Sequence, residues 1–264
     1  MSAGAHPHGA AALHGMGVVI TRPAAAAQPL VQALEHHGAR VFLFPALAIQ
    51  PMEPPPASAQ ALAELARCTL AIFVSANAVD AGLAAARRAG ALPAGARVAG
   101  IGEATARALR EAGFRDVIAP RERHDSEALL ALPALASLKG EDVFIFRGEG
   151  GREHLRTVME SRGANVRYVE CYRRTRPDTD PSALRAAWQR GQVHAVSALS
   201  AETLENFVYL VGEDAAELYR SATLVVPHQA IAAHPDARRF ARSVVARPGA
   251  AGFIEALQSL HVTP

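Results

Sequence analysis

The sequence predicts an α/β protein made of two domains, each a parallel β-sheet covered by helices on both faces. Short apolar runs typical of buried strands alternate with longer amphipathic stretches rich in Ala, Leu and Arg. These runs are too many for one comfortable small sheet, and one block of the sequence recurs later in the chain. With 264 residues, 50% of them hydrophobic, the chain is long enough to bury two cores.

A series of short apolar or β-branched runs, each bounded by turn residues, is predicted to form the strands. They are Val18–Thr21, Val41–Phe44, Leu70–Val74, Arg97–Ile101, Asp116–Ala119, Asp142–Phe146, Val166–Cys171, His194–Ser197, Thr223–Pro227 and Ser243–Ala246. The segments between them repeat apolar residues at helical spacing and are predicted to be helices. Examples are Ala27–His36, Ala59–Ala66, Ala78–Arg88, Ala104–Ala112 and Glu153–Arg162.

An internal repeat indicates duplication. Val18–Phe44 aligns without a gap on Val143–Val169, and each block consists of a strand, a basic turn, a helix, a Gly-Ala pair and a second strand. Gly38 and Gly163 occupy the same place in the two blocks, where a glycine is expected to end the helix. Shorter similarities follow in the same order, although any two βαβ units share such features.

The repeat leaves two domain arrangements open. Sequential halves would cover 18–130 and 143–264, whereas an inserted arrangement would place 52–168 within a domain made of 18–44 and 178–264. Both junctions, Phe44–Pro56 and Glu170–Pro181, are rich in proline and extended, as chain crossings between domains should be. We prefer the inserted arrangement because it accounts for both junctions.

That preference sets the expected boundaries. We expect a disordered tail over 1–16, a discontinuous domain over 17–45 and 177–264, an inserted domain over 52–169, and a two-stranded linking ladder over 46–51 and 170–176.

Composition excludes several classes of protein. A net charge of +2 argues against a protein whose main task is to bind nucleic acid. Apolar runs stay below the roughly 18–20 residues that span a bilayer, so we expect no membrane association. The start of the chain lacks the basic and apolar regions of a signal peptide. Cys68 and Cys171 lack CxxC spacing, which favours a reducing, cytoplasmic setting.

The familiar catalytic motifs are weak or missing. The sequence contains no HxxxH or CxxC for a metal and no GxSxG elbow for a nucleophile. The Gly-Ile-Gly at 100–102 lacks the ribose-binding acid at the end of the next strand, so a dinucleotide site is disfavoured. A nucleotide-sugar transferase would need a DxD metal motif, and Asp178-Thr179-Asp180 is better interpreted as linker.

Small polar residues recur just after predicted strands, where the next helix starts. They are Ser75, Asn77, Thr105, Ser197 and Ser200. Helix capping alone would explain them, at about 1 kcal/mol each. The functional interpretation is that several helix N-termini converge on one cleft at the carboxyl ends of the strands and bind a polyanion there.

The stretch from Phe146 to Glu153 contains three glycines between two arginines. Glycines allow a close approach of the backbone to a ligand or a positive φ. A plain strand-to-helix turn is the alternative.

An ordered set of motifs resembles the uroporphyrinogen-III synthase family. The motifs are ITRP (20–23), FVSANAV (73–79), GIGEATARAL (100–109), RGEGGRE (147–153), ECYRR (170–174) and VVPHQAIA (225–232). The resemblance covers about residues 17–260 in the family's order.

The resemblance implies a HemD-like fold of two flavodoxin-like domains joined by a two-stranded ladder. It also implies conversion of linear hydroxymethylbilane, which carries eight carboxylates, into uroporphyrinogen III, with loss of water and inversion of the last pyrrole ring. No metal or organic cofactor is implied. We expect a monomer in transient contact with hydroxymethylbilane synthase. The alternative is a non-catalytic sensor that binds a polyanion or tetrapyrrole.

The resemblance also implies roles for single residues. Tyr172 matches a tyrosine thought to help the terminal hydroxyl leave. The implied substrate-binding residues are Arg22, Ser75, Thr105, Arg147 and Ser197, with His228 as a further candidate donor. Asn77 at a predicted helix start and Gly148 in the glycine stretch complete the expected substrate-binding set. Two departures put contacts of the C-terminal part in doubt: Ala230 replaces an Arg or Thr, and the stretch Gly249–Gly252 lacks an Asp common in the family.

Overall fold

The computed structural model describes residues 12–121, 125–151 and 153–261. The described residues form two compact units, one made of 12–48 with 175–261 and the other of Ile49–Arg174. Among these residues, no helix combines the length and the apolar character needed to cross a bilayer.

Strands and helices are numbered in chain order. The strands are β1 (Gly17–Ile20), β2 (Arg40–Leu43), β3 (Ala48–Pro51), β4 (Leu70–Phe73), β5 (Arg97–Gly100), β6 (Val117–Ile118), β7 (Asp142–Gly148), β8 (Asn165–Thr175), β9 (Ala195–Ser197), β10 (Thr223–Val226) and β11 (Arg242–Val245). The helices are α1 (Ala24–His36), α2 (Pro56–Ala63), α3 (Ala76–Arg88), α4 (Glu103–Glu111), α5 (Ser126–Leu130), α6 (His154–Ser161), α7 (Ser182–Gln189), α8 (Ala201–Val211), α9 (Ala216–Arg220), α10 (Gln229–Ala232) and α11 (Gly249–His261). Short 3₁₀ turns lie at Leu65–Arg67, Pro133–Leu135 and Pro235–Arg239.

The discontinuous unit contains a parallel sheet in the order β11-β10-β9-β1-β2. Both faces of the sheet are buried, and successive side chains of a strand enter opposite cores. Val18 and Ile20 pack with Leu34 of α1 and Leu257 of α11. Val19 enters the other core, which includes Trp188, Phe207 and Tyr219 from α7, α8 and α9.

The central unit contains a sheet in the order β3-β8-β7-β4-β5-β6, and the pairs from β8 to β6 are parallel. On one face Phe73 and Phe146 stack with their ring centroids 4.7 Å apart and pack among residues of α2, α3 and α4. On the other face Ile72 and Ile145 pack against residues of α5 and α6. Apolar packing therefore supports both faces of the sheet beneath the carboxyl ends of β4, β5 and β7.

Each predicted strand is present, with its ends moved by a few residues. The run Asp116–Ala119 shortens to β6, and Val166–Cys171 becomes part of the longer β8, which pairs with β3. The glycines predicted to end two helices are confirmed: Gly38 and Gly163 follow α1 and α6 with φ of +84° and +89°.

The disordered tail predicted over 1–16 is wrong for residues 12–16. Leu13 and Met16 are buried in the core beside α1. The N–H of Leu13 donates to the carbonyl of His37 at 2.9 Å, and the N–H of Arg40 donates to that of Met16 at 2.9 Å. Two apolar side chains in an Ala/Gly-rich segment are enough to tie it to the sheet. Residues 1–11 lie outside the described part of the chain.

Candidate functional site

The candidate site of the central unit lies where β7, β4 and β5 end. β7 ends at Gly148, Ser75 follows β4, and Gly102 follows β5. Because these strands are parallel neighbours, the loops after them emerge at one edge of the sheet. A cavity of about 450 Å³ opens there, lined in part by Arg147, Gly148, Tyr168 and Tyr172.

The Tyr172 hydroxyl lies 3.1 Å from Oγ of Ser75. Ser75 also accepts the N–H of Ala78 at 3.1 Å and so caps α3. Tyr172 is on β8 and Ser75 follows β4, with β7 between these strands. The ring therefore reaches across about two strand spacings of ~4.8 Å. At 2% exposure, Tyr172 is held firmly in the core while its side chain borders the cavity.

Gly148, at the end of β7, makes room for this ring. A Cβ at this position would stand 2.8 Å from Cε2 and Cζ of Tyr172, closer than such atoms approach one another. The group that approaches the backbone at Gly148 is thus the ring of Tyr172, whereas the glycine-rich sequence predicts the approach of a ligand.

A β-bulge at Cys171 aims Tyr172 at Ser75. Arg147 pairs with Glu170 and Gly148 pairs with Tyr172, which leaves Cys171 as an extra residue of β8. As a result Cys171 and Tyr172, although consecutive, pack in the same core. The Cys171 thiol donates to the carbonyl of Arg147 at 3.3 Å. Burial raises the pKa of this thiol to about 12, so it stays protonated at neutral pH.

Arg147 faces the protein interior, with a side chain only 7% exposed. Its Nη2 donates to the carbonyl of Gly150, its Nη1 to Glu153 at 3.3 Å, and its Nε to the carbonyl of Gly148 at 3.4 Å. The guanidinium thus holds the turn that follows β7, whereas the resemblance implies that it binds substrate.

The glycine turn is likewise bonded from within. Gly150 and Gly151 have φ of +70° and +111°, which explains the glycines. The N–H of Glu149 donates to the carbonyl of Tyr172 at 2.8 Å, and that of Gly150 donates to Oε1 of Glu170 at 3.0 Å. Two amides of the turn are thus committed, which favours the plain-turn interpretation over an anion cradle.

Two guanidinium groups lie against the ring of Tyr168. The Cζ atoms of Arg147 and Arg156 are 4.2 Å and 4.0 Å from the centroid of its ring. Burial, followed by the nearby charge of Glu153, raises the pKa of the Tyr168 phenol.

Thr105 and Asn77 differ in exposure. Thr105 is 5% exposed, and a Cβ at Gly100 would lie 3.1 Å from its Cβ and Cγ2 atoms. Thr105 is predicted at the start of its helix and is the third residue of α4, which begins at Glu103 after Gly102; its side chain packs inward and does not cap the helix. Asn77 is exposed in the first turn of α3 and borders a second cavity of about 320 Å³, which it shares with Tyr172.

In the discontinuous unit, Arg22, Ser197 and His228 follow or end the neighbouring strands β1, β9 and β10. Ser197 is only 1% exposed: its Oγ accepts the N–H of Thr21 at 3.3 Å, and its carbonyl accepts the Thr21 hydroxyl at 2.6 Å. Ser197 therefore joins two strand ends, contrary to its expected availability as a cleft hydroxyl. Arg22 is half-buried and His228 is exposed.

The structure thus brings Ser75, Gly148 and Tyr172 into contact and places Arg147 beside them. Sequence reasoning missed Glu170 and Tyr168. The motif ECYRR included Glu170, but only the paired register shows that its carboxylate reaches the glycine turn. Within the described ranges, no group of three or more His, Cys, Asp or Glu side chains is placed to hold a metal ion.

Comparison with known proteins agrees with the motif analysis. Residues 28–255 match the family model described as "Uroporphyrinogen-III synthase HemD". The uroporphyrinogen-III synthase of Salmonella typhimurium is 35% identical over 72% of this chain and 78% of its own length. That of Escherichia coli is 32% identical over 74% of this chain and 80% of its own.

Two solved structures share the fold. A mutant uroporphyrinogen III synthase from Thermus thermophilus gives a TM-score of 0.52 at 20% identity, covering 92% of this chain and 98% of that one. The uroporphyrinogen-III synthetase of Helicobacter pylori gives 0.58 at 14% identity, covering 93% and 99%. The predicted α/β class with two largely parallel sheets is confirmed.

Proposed function

Because the chain belongs to the uroporphyrinogen-III synthase family, we propose that it cyclises hydroxymethylbilane to uroporphyrinogen III, with loss of water and inversion of the last pyrrole ring. The activity is that of a hydro-lyase in tetrapyrrole biosynthesis. The family match over residues 28–255 carries this conclusion, and the contact of Tyr172 with Ser75 supports a site for its first step.

Loss of water needs a proton at the departing hydroxyl. The pyrrole nitrogen lone pair expels the hydroxyl and leaves an azafulvene, while Tyr172, as the catalytic acid, donates its phenolic proton to form water. Ser75, at 3.1 Å, holds the phenol in place. Rearomatisation after ring closure releases one proton, which restores the phenol. The overall change is hydroxymethylbilane to uroporphyrinogen III and water.

Ring inversion depends on how the substrate is held. Attack of the azafulvene on the substituted carbon of the last ring gives a spiro intermediate, which fragments and recloses with that ring inverted. Uncatalysed closure gives the symmetric isomer, so the protein must impose the geometry. Effective molarities of about 10⁵–10⁸ M are available from such positioning.

We assign the eight substrate carboxylates to groups at the carboxyl end of each unit's sheet. Arg22, Asn77 and His228 are at least partly exposed there and can bind carboxylates through their side chains. The N–H groups of Ala76 and Asn77 in the first turn of α3 have no intrahelical acceptor and lie at the positive end of the helix dipole, whereas that of Ala78 is bonded to Ser75. Ser75, Thr105, Arg147, Gly148 and Ser197 are then proposed to shape the strand ends that present these groups.

The deciding experiment supplies hydroxymethylbilane and resolves the type I and type III products. Type III product in excess of the uncatalysed background is expected from the full chain and not from heat-denatured protein. Type I product alone would overturn the assignment. Saturable tetrapyrrole binding without turnover would indicate the sensor instead.

Supply of the unstable substrate is a separate proposal. We propose that the chain acts as a monomer and receives hydroxymethylbilane during transient contact with hydroxymethylbilane synthase. In a coupled assay, an inactive variant of this chain in excess should then lower the yield of type III product. Unchanged yield would indicate transfer through solution.

A further inference from the structure

Glu170 connects the glycine turn to β8. It pairs with Arg147 across the strands, and its Oε1 accepts the N–H of Gly150 at 3.0 Å while lying 3.9 Å from Nε of Arg147. Its own N–H donates to Oγ of Ser58, a buried residue of α2, at 3.0 Å. The carboxylate is therefore anchored through the backbone on one side and bonded to the turn on the other.

The glycine turn, residues 148–151, contacts Tyr172 at two points. The N–H of Glu149 donates to the Tyr172 carbonyl at 2.8 Å, and Gly148 lies against the phenol ring. Any shift of residues 148–151 is therefore transmitted to the ring that reaches Ser75. Because two of the four residues are glycines with positive φ, the turn has little stiffness of its own and depends on these external bonds.

We propose that Glu170 is a positioning residue for the reaction: its carboxylate fixes the turn 148–151 and, through Gly148, the Tyr172 hydroxyl at Ser75. A charged acceptor suits this role, since hydrogen bonds to carboxylates are about twice as strong as neutral ones. The proposal rests on the proposed function, because Tyr172 acts there as the acid. The bulge at Cys171 lies between Glu170 and Tyr172. The register of β8 against β7 therefore sets both the contact of Glu170 with the turn and the contact of Tyr172 with Gly148.

Three variants of Glu170 distinguish the need for a side chain long enough to contact Gly150 from the need for a negative charge. Glu170→Ala removes the acceptor, Glu170→Asp keeps the charge but withdraws it from Gly150, and Glu170→Gln keeps an acceptor within reach. Glu141→Ala is the matched control, since Glu141 forms a close pair with Arg97 in the same unit, at 2.6 Å, away from the turn. We expect kcat to fall about 10- to 100-fold in the Ala and Asp variants with KM little changed. The control variant should stay within about threefold of the parent, and the Gln variant, which keeps a weaker neutral acceptor within reach, should lie between the parent and the Ala variant.

A second readout reports the phenol without turnover. The chain has 4 tyrosines, so ¹³Cζ-tyrosine labelling gives few signals, and Tyr172→Phe identifies the one from Tyr172. That signal should move in Glu170→Asp and Glu170→Ala and stay in Glu141→Ala. A parent-like kcat together with an unmoved Tyr172 signal in Glu170→Asp would overturn the proposal. If the parent chain fails to make type III product, the proposed function fails, while the labelled spectra still decide whether Glu170 positions Tyr172.

Discussion

The ring of Tyr172 lies across Gly148 and ends at Ser75. Its hydroxyl is 3.1 Å from Oγ of Ser75, and a Cβ at Gly148 would come within 2.8 Å of the ring. One side chain thus spans the end of an entire strand, and the residue beneath it must lack a side chain. The first predictions follow from this arrangement.

Gly148→Ala should displace the Tyr172 ring. The added methyl group overlaps Cε2 and Cζ of a residue that is itself held in the core, so overpacking should cost about 1–3 kcal/mol of unfolding free energy. Turnover should fall as the hydroxyl leaves Ser75. Denaturant unfolding and product assays measure both effects. Gly95→Ala is the control, because a Cβ there meets nothing within 4 Å. Equal behaviour of the two variants would contradict the geometry.

Tyr172→Phe should keep the packing and remove the proton donor. We expect kcat to fall by at least about 10²-fold, with a smaller change in KM, because the hydroxyl acts in the transition state. The unfolding free energy should fall by about 0.5–1.5 kcal/mol for the lost hydrogen bond. Tyr209→Phe, at a residue 63% exposed, serves as control. A full rate in Tyr172→Phe would transfer the acid role to water or another group.

Ser75→Ala removes a helix cap and the partner of Tyr172 in one step. Ser200→Ala likewise removes a cap and one hydroxyl partner, because Oγ of Ser200 accepts the N–H of Thr203 at 3.1 Å at the start of α8 and lies 2.8 Å from Oγ1 of Thr203, but Ser200 lies in the discontinuous unit and not in that of Tyr172. Both should lose about 0.5–2 kcal/mol of unfolding free energy. Only Ser75→Ala should also lower kcat. Combining it with Tyr172→Phe tests coupling: the two losses in transition-state energy should be less than additive if the two hydroxyls act together.

The buried thiols should make stability depend on pH in the alkaline range. Burial raises the pKa of Cys68 and of Cys171 from 9.0 to about 12. The unfolded chain therefore releases these protons first, so the stabilisation is complete below about pH 9 and is lost as the pH rises towards about 12. The double variant Cys68→Ala/Cys171→Ala should show a smaller decline in unfolding free energy between about pH 8 and about pH 10.5. If the unfolding free energies of the parent and the double variant decline equally with pH, the thiols are accessible to solvent in the folded protein.

The sequence was sufficient for the strands and insufficient for the side-chain contacts of the site. Runs such as Leu70–Val74 are apolar throughout because both faces of each sheet are buried, and that pattern is local. The burial of Ser197 is not local, since its bond to Thr21 forms only when the two strands pair, and the inward packing of Thr105 depends on how α4 lies on the sheet. Polar residues at strand ends correctly predict which edge of the sheet carries the candidate site. They do not predict which of the side chains point into the protein.

The same limit applies to the glycine turn. Two arginines beside three glycines are typical of an anion loop, yet Arg147 binds the carbonyl of Gly150, and Glu170 takes an amide of the turn. Glu170, which takes the place of an external anion at the Gly150 amide, lies 20 residues further along the sequence on the neighbouring strand β8. Only the register of β7 against β8 reveals it.

The face occupied by Tyr172 depends on the number of residues that β8 has before the bulge. Side chains of a strand alternate, so deleting one residue of β8 ahead of the bulge, such as Val166, would carry the phenol to the opposite surface of the sheet, the one that Tyr168 now occupies. Removing two residues would restore the face but draw the hydroxyl about 7 Å along the strand, out of range of Ser75. The length of β8 before the bulge is therefore fixed to the single residue.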